Sequence, residues 1–276
     1  MSFIIEKEEL LPLLNSRDIR ICDCRFQLGS PDAGYNDYKK EHISGAVYFD
    51  LEKDLSGQVQ EHGGRHPLPD LETIKGKLES NGITNDTLLI AYDGGEGSFA
   101  SRFVWLLSYL GHQKVFVLNG GYRAWRDAGY PIDSSQMNYN MPTEYHIDLN
   151  EHVFASFRKV KDYTMNRPDD IVLMDSRESK RYEGIEEPID KKAGHIPGAV
   201  NKVWTNVLEN GYFKKKEDLQ SNFTSIRKDK EIIVYCGSGV TASPNYIALK
   251  EAGFKDVKIY IGSFSDWISY DDNPIE

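Results

Sequence analysis

The feature that most restricts this chain is that it repeats itself. Asp23-Cys24-Arg25, Tyr38 and His42-Ile43-Ser44-Gly45-Ala46-Val47 return as Asp175-Ser176-Arg177, Tyr182 and His195-Ile196-Pro197-Gly198-Ala199-Val200. Later in each copy an apolar run stops at a glycine-rich loop. Leu88-Leu89-Ile90-Ala91-Tyr92 precedes Asp93-Gly94-Gly95, and Ile232-Ile233-Val234-Tyr235 precedes Cys236-Gly237-Ser238-Gly239. Further on, Val115-Phe116-Val117-Leu118 with Gly120-Gly121 and Trp125 matches Val257-Lys258-Ile259-Tyr260-Ile261 with Gly262-Ser263 and Trp267. Such self-similarity means one structural unit built twice. The polar stretch from Asp133 to Pro142 has no periodicity, so a linker is expected there, dividing residues 1–142 from 143–276.

Short continuous apolar runs bounded by turns read as strands buried on both sides, which is the pattern of a mainly parallel sheet with helices on both faces. The intervening segments fit that α/β reading. Phe99, Arg102, Phe103, Leu106, Leu107 and Leu110 form a helical stripe after the first glycine loop and stop near Gly111. Tyr246, Ile247 and Leu249 do the same after the second, in a helix that opens at Ala242-Ser243-Pro244 and stops near Gly253.

Composition narrows the function. A net charge of −10 spread along 276 residues favours solubility and argues against a nucleic-acid surface. No run of about 18 apolar residues is present, and the first residues lack a basic region ahead of an apolar one, so a cytoplasmic protein without membrane attachment is expected. Three cysteines, Cys22, Cys24 and Cys236, leave at least one thiol unpaired. Cys22 and Cys24 end an apolar strand without a second pair of metal ligands, and are read as structural thiols. No metal is expected.

Cys236 sits differently. It ends a strand and is followed by Gly237, Ser238, Gly239, Val240 and Thr241 before a helix begins. Glycines let successive backbone N–H groups turn inward, and the helix adds the positive end of its dipole. That cradle favours a thiolate, the reactive form of cysteine. It also lies at the carboxyl edge of a parallel sheet, where open α/β proteins bind ligands.

The loop Cys236-Gly237-Ser238-Gly239-Val240-Thr241-Ala242 resembles the active-site loop of the rhodanese superfamily, in particular the two-domain 3-mercaptopyruvate and thiosulfate sulfurtransferases. Gly194-His195-Ile196-Pro197-Gly198-Ala199 resembles one signature of that family, and Gly262-Ser263-Phe264-Ser265-Asp266-Trp267 another. The resemblance implies two tandem rhodanese-like domains, the first inactive with Asp93 in the cysteine position. It implies a ping-pong reaction without external cofactor. Cys236 takes sulfur from a small anionic donor, 3-mercaptopyruvate in preference to thiosulfate because the loop is neutral, and passes it to a thiol, a thioredoxin-like protein or cyanide. Ser238 and Thr241 become hydroxyl groups around the sulfur, Gly237, Gly239 and Val240 the backbone lining, and Arg181 the arginine for the substrate anion. His66-Pro67-Leu68-Pro69 resembles the segment that brings a histidine to the catalytic serine, with Glu52 at the accompanying acidic position. A second arginine is expected after Glu187-Pro188, where this chain has Ile189 and Asp190; Lys191 and Lys192 read as solvated loop residues.

Two readings from other classes compete. A cysteine phosphatase needs an arginine soon after the cysteine to stabilise the phosphoryl transition state, and residues 237–243 contain none. A non-catalytic rhodanese-like binding module has no use for a cysteine inside a complete loop.

Overall fold

The computed structural model describes residues 2–136 and 143–276. The expected division near residue 142 lies outside the described residues, as does most of the expected linker, 137–142. The chain forms two compact units that are not continuous in sequence. One comprises Met1–Gly57, Pro69–Asn150 and Asn210–Phe213; the other comprises Gln58–Leu68, Glu151–Glu209 and Lys214–Glu276.

The first unit is built on a five-stranded sheet in the order Ile4–Ile5, Val115–Leu118, Leu88–Tyr92, Ile19–Asp23, Ala46–Tyr48, with every neighbouring pair parallel. Leu89, Ile90, Ala91 and Tyr92 are all buried. Since successive strand residues point to opposite faces, this sheet is covered on both, as the unbroken apolar run predicts. Ile90 and Tyr92 face a cluster containing Leu10, Ile21, Tyr38 and Trp125. The helix Ser98–Tyr109 is buried along its whole length, and Gly121–Asp127 brings Trp125 onto the core.

The second unit repeats the order with four parallel strands: Val257–Ile259, Glu231–Tyr235, Ile171–Asp175, Val200–Asn201. In place of the first unit's edge strand there is only a single parallel bridge, Phe154 to Ile259. Ile233, Tyr235, Phe264 and Trp267 meet in one core cluster. The helices after the two final strands, Ala242–Glu251 and Ser263–Trp267, correspond to Ser98–Tyr109 and Gly121–Asp127.

The repeated sequence motifs are the scaffold of each unit. Arg25 grips Asp23 through Nε at 3.0 Å and Nη2 at 2.6 Å, and Nη2 also donates to the Glu41 carbonyl at 2.7 Å. Arg177 grips Asp175 in the same way, at 3.1 and 2.7 Å, and donates to the Gly194 carbonyl at 2.7 Å. The Tyr92 and Tyr235 hydroxyls accept the amides of Ile43 and Ile196. Tyr38 stacks on His42 at 4.2 Å between centroids, and Tyr182 on His195 at 3.8 Å. Each buried charge is thereby paired and hydrogen-bonded, the condition under which burial of charge is tolerated. Among the described residues no helix is long and apolar enough to cross a membrane.

Candidate active site

Strand Glu231–Tyr235 delivers Cys236 at its carboxyl end, and the helix that begins at Ala242 carries the chain away. Between them the backbone folds back so that Gly239 N–H points at Cys236 Sγ, 3.1 Å away. Gly239 adopts φ +79°, and a Cβ there would stand 2.4 Å from the Ile261 carbonyl oxygen, so the position admits only glycine. Cys236 N–H donates to Ser263 Oγ at 3.1 Å, and that hydroxyl donates to the Tyr260 carbonyl at 2.9 Å. The Cys236 and Gly237 carbonyls accept the amides of Phe264 and Ser265. The loop is therefore fixed from below by the Gly262–Trp267 signature, whose conspicuous residues are now explained as supports.

Val240 is buried beside the loop, and Thr241 sits at the helix N-cap position with its hydroxyl making no cap bond. Ser238 Oγ lies 2.9 Å from His66 Nδ1, and both side chains are buried. The histidine arrives on segment Gln58–Leu68, which belongs to the second unit although it comes from the N-terminal half of the chain. Gly63 N–H donates to Asp266 Oδ1 at 2.7 Å, and Arg65 N–H to Ser265 Oγ at 3.1 Å. His62 stacks on Tyr270 at 3.9 Å. Glu52 is exposed in the first unit, with its amide on Asp50 Oδ1 at 2.9 Å.

Arg181 lies beside the loop. It donates to both Glu187 oxygens at 2.8–3.1 Å and to Asp190 Oδ2 at 2.7 Å. Two further residues are here that sequence reasoning did not single out. Arg65 pairs with Asp190 Oδ1, and both reach Gly237: a Cβ at that glycine would meet Arg65 Nη2 at 2.9 Å, Arg181 Nη2 at 3.4 Å and Asp190 Oδ2 at 3.5 Å. Arg65 directly precedes His66, and that adjacency is the only signal the sequence carries for it. Lys191 is exposed, and Lys192 makes a 3.5 Å contact with exposed Asp271.

The corresponding loop of the first unit holds its own anion. Asp93 Oδ1 accepts the amides of Gly95 at 3.0 Å and Gly97 at 2.9 Å, and Oδ2 those of Phe99 and Ala100, each at 3.1 Å. A strand, a glycine loop and a helix N-terminus thus do make an anion cradle in this scaffold. In the second unit the group at the corresponding position is a thiol. Burial raises Cys22 and Cys24 well above the ordinary thiol range, so both stay protonated and inert.

A family model described as "Rhodanese-like domain" matches residues 6–128 and again 160–270. A "Probable 3-mercaptopyruvate sulfurtransferase" from Pseudomonas aeruginosa is 36% identical over 99% of this chain and 97% of its own length. A "Thiosulfate sulfurtransferase" from Azotobacter vinelandii is 30% identical over 96% and 97%. Among solved structures, SseA from Escherichia coli, a 3-mercaptopyruvate sulfotransferase, superposes with a TM-score of 0.84 at 30% identity, covering 96% of this chain and all of that one.

Proposed function

The chain belongs to the rhodanese family and is a sulfurtransferase, and from that premise we infer that Cys236 carries the sulfur in transit as a persulfide, taken from a small anionic donor. The observation that carries this reading is the Gly239 amide on Cys236 Sγ, inside a loop whose twin holds a carboxylate. The same amide serves a thiolate before transfer and a persulfide anion after it.

In the first half-reaction the Cys236 thiolate attacks the donor's sulfur. The Sγ–S bond forms as the donor's C–S or S–S bond breaks, and the bonding pair leaves with the rest of the donor, which is reduced by two electrons while the cysteine is oxidised by two. From 3-mercaptopyruvate the leaving fragment is the enolate of pyruvate, which must gain a proton; from thiosulfate it is sulfite, which need not. In the second half-reaction a thiol, a thioredoxin-like protein or cyanide attacks the outer sulfur and frees the thiolate.

The relatives bear both donor names, so the choice rests on residues. The Ser238 hydroxyl, 2.9 Å from His66 Nδ1, supplies a proton path to a leaving enolate, which sulfite does not need, whereas Arg65 and Arg181 beside Gly237 suit the anion of either donor. The proton path favours 3-mercaptopyruvate. Intact mass is expected to rise by about 32 Da on incubation with the donor and to return on addition of cyanide or a dithiol. Cys236→Ser abolishes both mass gain and turnover, and Cys22→Ala and Cys24→Ala retain them. Full turnover in Cys236→Ser would overturn the reading. A higher kcat/KM for thiosulfate than for mercaptopyruvate under one acceptor would reject the donor.

A further inference from the structure

The carboxylate of Asp190 is nearly sealed from solvent, at 1% exposure, on a loop whose neighbouring Ile189 is 55% exposed. A loop residue does not bury a charge without a reason, since isolated burial of a carboxylate is strongly unfavourable. The compensation is visible: one oxygen accepts from Arg65, the other from Arg181 Nη2 at 2.7 Å. The two arginines come from different halves of the sequence and converge over Gly237, next to the sulfur. Cys236 itself is only 1% exposed.

Glu187 plays another part. It holds Arg181 and Arg177 and accepts the amides of Ile189 and Asp190, which makes it a fixed post of the loop. Asp190 is the carboxylate turned toward Gly237. Resting on the assignment of Cys236 as the sulfur carrier, we propose that Arg65 and Arg181 together seat the donor's anionic group, and that Asp190 fills this seat until the donor displaces it. Arg65 supplies the second guanidinium that the segment after Glu187-Pro188 lacks. Two planar forks around one carboxylate are the geometry that binds a carboxylate or sulfonate with direction as well as charge.

The test compares alkylation of Cys236 by iodoacetate, an anion, and iodoacetamide, its neutral analogue, with peptide mapping to isolate that cysteine. The ratio of the two rates cancels any change in the thiol itself. In Arg65→Gln the iodoacetate-to-iodoacetamide ratio is expected to fall about 10-fold or more, the effect of losing one charged hydrogen bond. Arg65→Lys recovers part of it. Asp190→Asn moves the ratio the other way, upward by about 10-fold. The KM for either donor runs in the reverse order, rising in Arg65→Gln and falling in Asp190→Asn, with kcat less affected. An unchanged ratio in Arg65→Gln overturns the proposal, and so does a fall in Asp190→Asn, which would make Asp190 a positioning residue. Should Arg65→Gln fail to fold, the opposite signs expected for Arg65→Lys and Asp190→Asn decide the matter. Alkylation needs no persulfide, so ratios as expected without sulfur loading would fault the Cys236 assignment and leave the anion seat standing.

Discussion

Ser263 is a non-glycine residue held at φ +56°, while Gly121, its counterpart in the first copy, takes φ +59° without a side chain to strain. A left-handed backbone costs an L-residue about 1–2 kcal/mol, and such strain persists where something requires it. Here the requirement is the hydroxyl, which accepts the Cys236 amide at 3.1 Å. Ser263→Ala keeps the strain and leaves that buried amide without its acceptor. Ser263→Gly loses the same bond but relaxes the backbone. We therefore expect both variants to slow sulfur loading, with the glycine variant the more stable of the two by about 1 kcal/mol in urea titrations. Equal or reversed stabilities would show that the strain is not real. Glu96 gives a second residue-scale expectation. Burial, and then the neighbouring Asp93, pushes its carboxyl up to about 8 from an ordinary 4.5. Burial raises the Asp93 carboxyl as well, but the four amides it accepts oppose that rise, so we assign the proton kept near neutrality to Glu96. Between those two pH values the folded chain retains a proton that the unfolded chain has released, so stability falls as pH rises through the window and levels off above it. Thermal melts of Glu96→Gln from pH 5 to 9 are expected to lose most of that slope.

At the scale of elements, the segment Gln58–Leu68 brings Arg65 and His66 to the Cys236 loop. It has no regular structure, and its place depends on Gly64, which adopts φ +82° and where a Cβ would lie 2.4 Å from the Gly262 carbonyl oxygen. Gly64→Ala must push the segment away from its supports and carry Arg65 and His66 with it. A displacement of about 1 Å at such groups costs roughly 100-fold in rate, so kcat/KM should fall by about that factor while far-UV circular dichroism stays unchanged. Undiminished activity would mean that the segment's fit is unimportant. This element also marks where the sequence stopped being legible. Strands, helices and the cysteine loop announce themselves through local periodicity and glycine placement, and the duplicated Asp-x-Arg, Tyr and His-Ile motifs became readable because each scaffold needs the same buried network. His66 was noticed through resemblance, in the run that carries it. Arg65 carries no such mark, and Asp190 stands out only as a residue where an arginine is expected, because their significance arises from a meeting of residues 125 positions apart. The sequence around Glu187-Pro188 revealed that an arginine was missing, and nearby lysines were the local candidates; the guanidinium beside the loop comes instead from the far half of the chain.

Across the whole molecule, the duplication supplies its own control. Arg25 and Arg177 hold Asp23 and Asp175 in equivalent buried networks, one in each unit. Replacing either arginine by leucine leaves a buried carboxylate without its partner, a loss of about 3–5 kcal/mol. The two variants should therefore be destabilised to a similar degree. Their chemistry should part company. Arg177 has a bond that Arg25 lacks: its Nη1 meets Glu187 Oε2 at 3.3 Å, and Glu187 in turn holds Arg181 at 2.8 Å. Arg177→Leu thus loosens the post on which Arg181, the arginine proposed to seat the donor, is mounted, and donor KM should rise with kcat less affected. Arg25→Leu leaves that post intact, and its folded fraction should load sulfur with the wild-type KM. Measurement at low temperature, with the folded fraction taken from the yield of the persulfide mass, separates stability from chemistry. If Arg25→Leu raised donor KM as much as Arg177→Leu, general loosening of the chain would explain both. The chain of contacts from Arg177 through Glu187 to Arg181 would then have no specific role. If only Arg177→Leu does so, the two copies share a scaffold, and the difference between the unit with Asp93 and the unit with Cys236 extends beyond that position to how the scaffold arginine is wired into the loop above it.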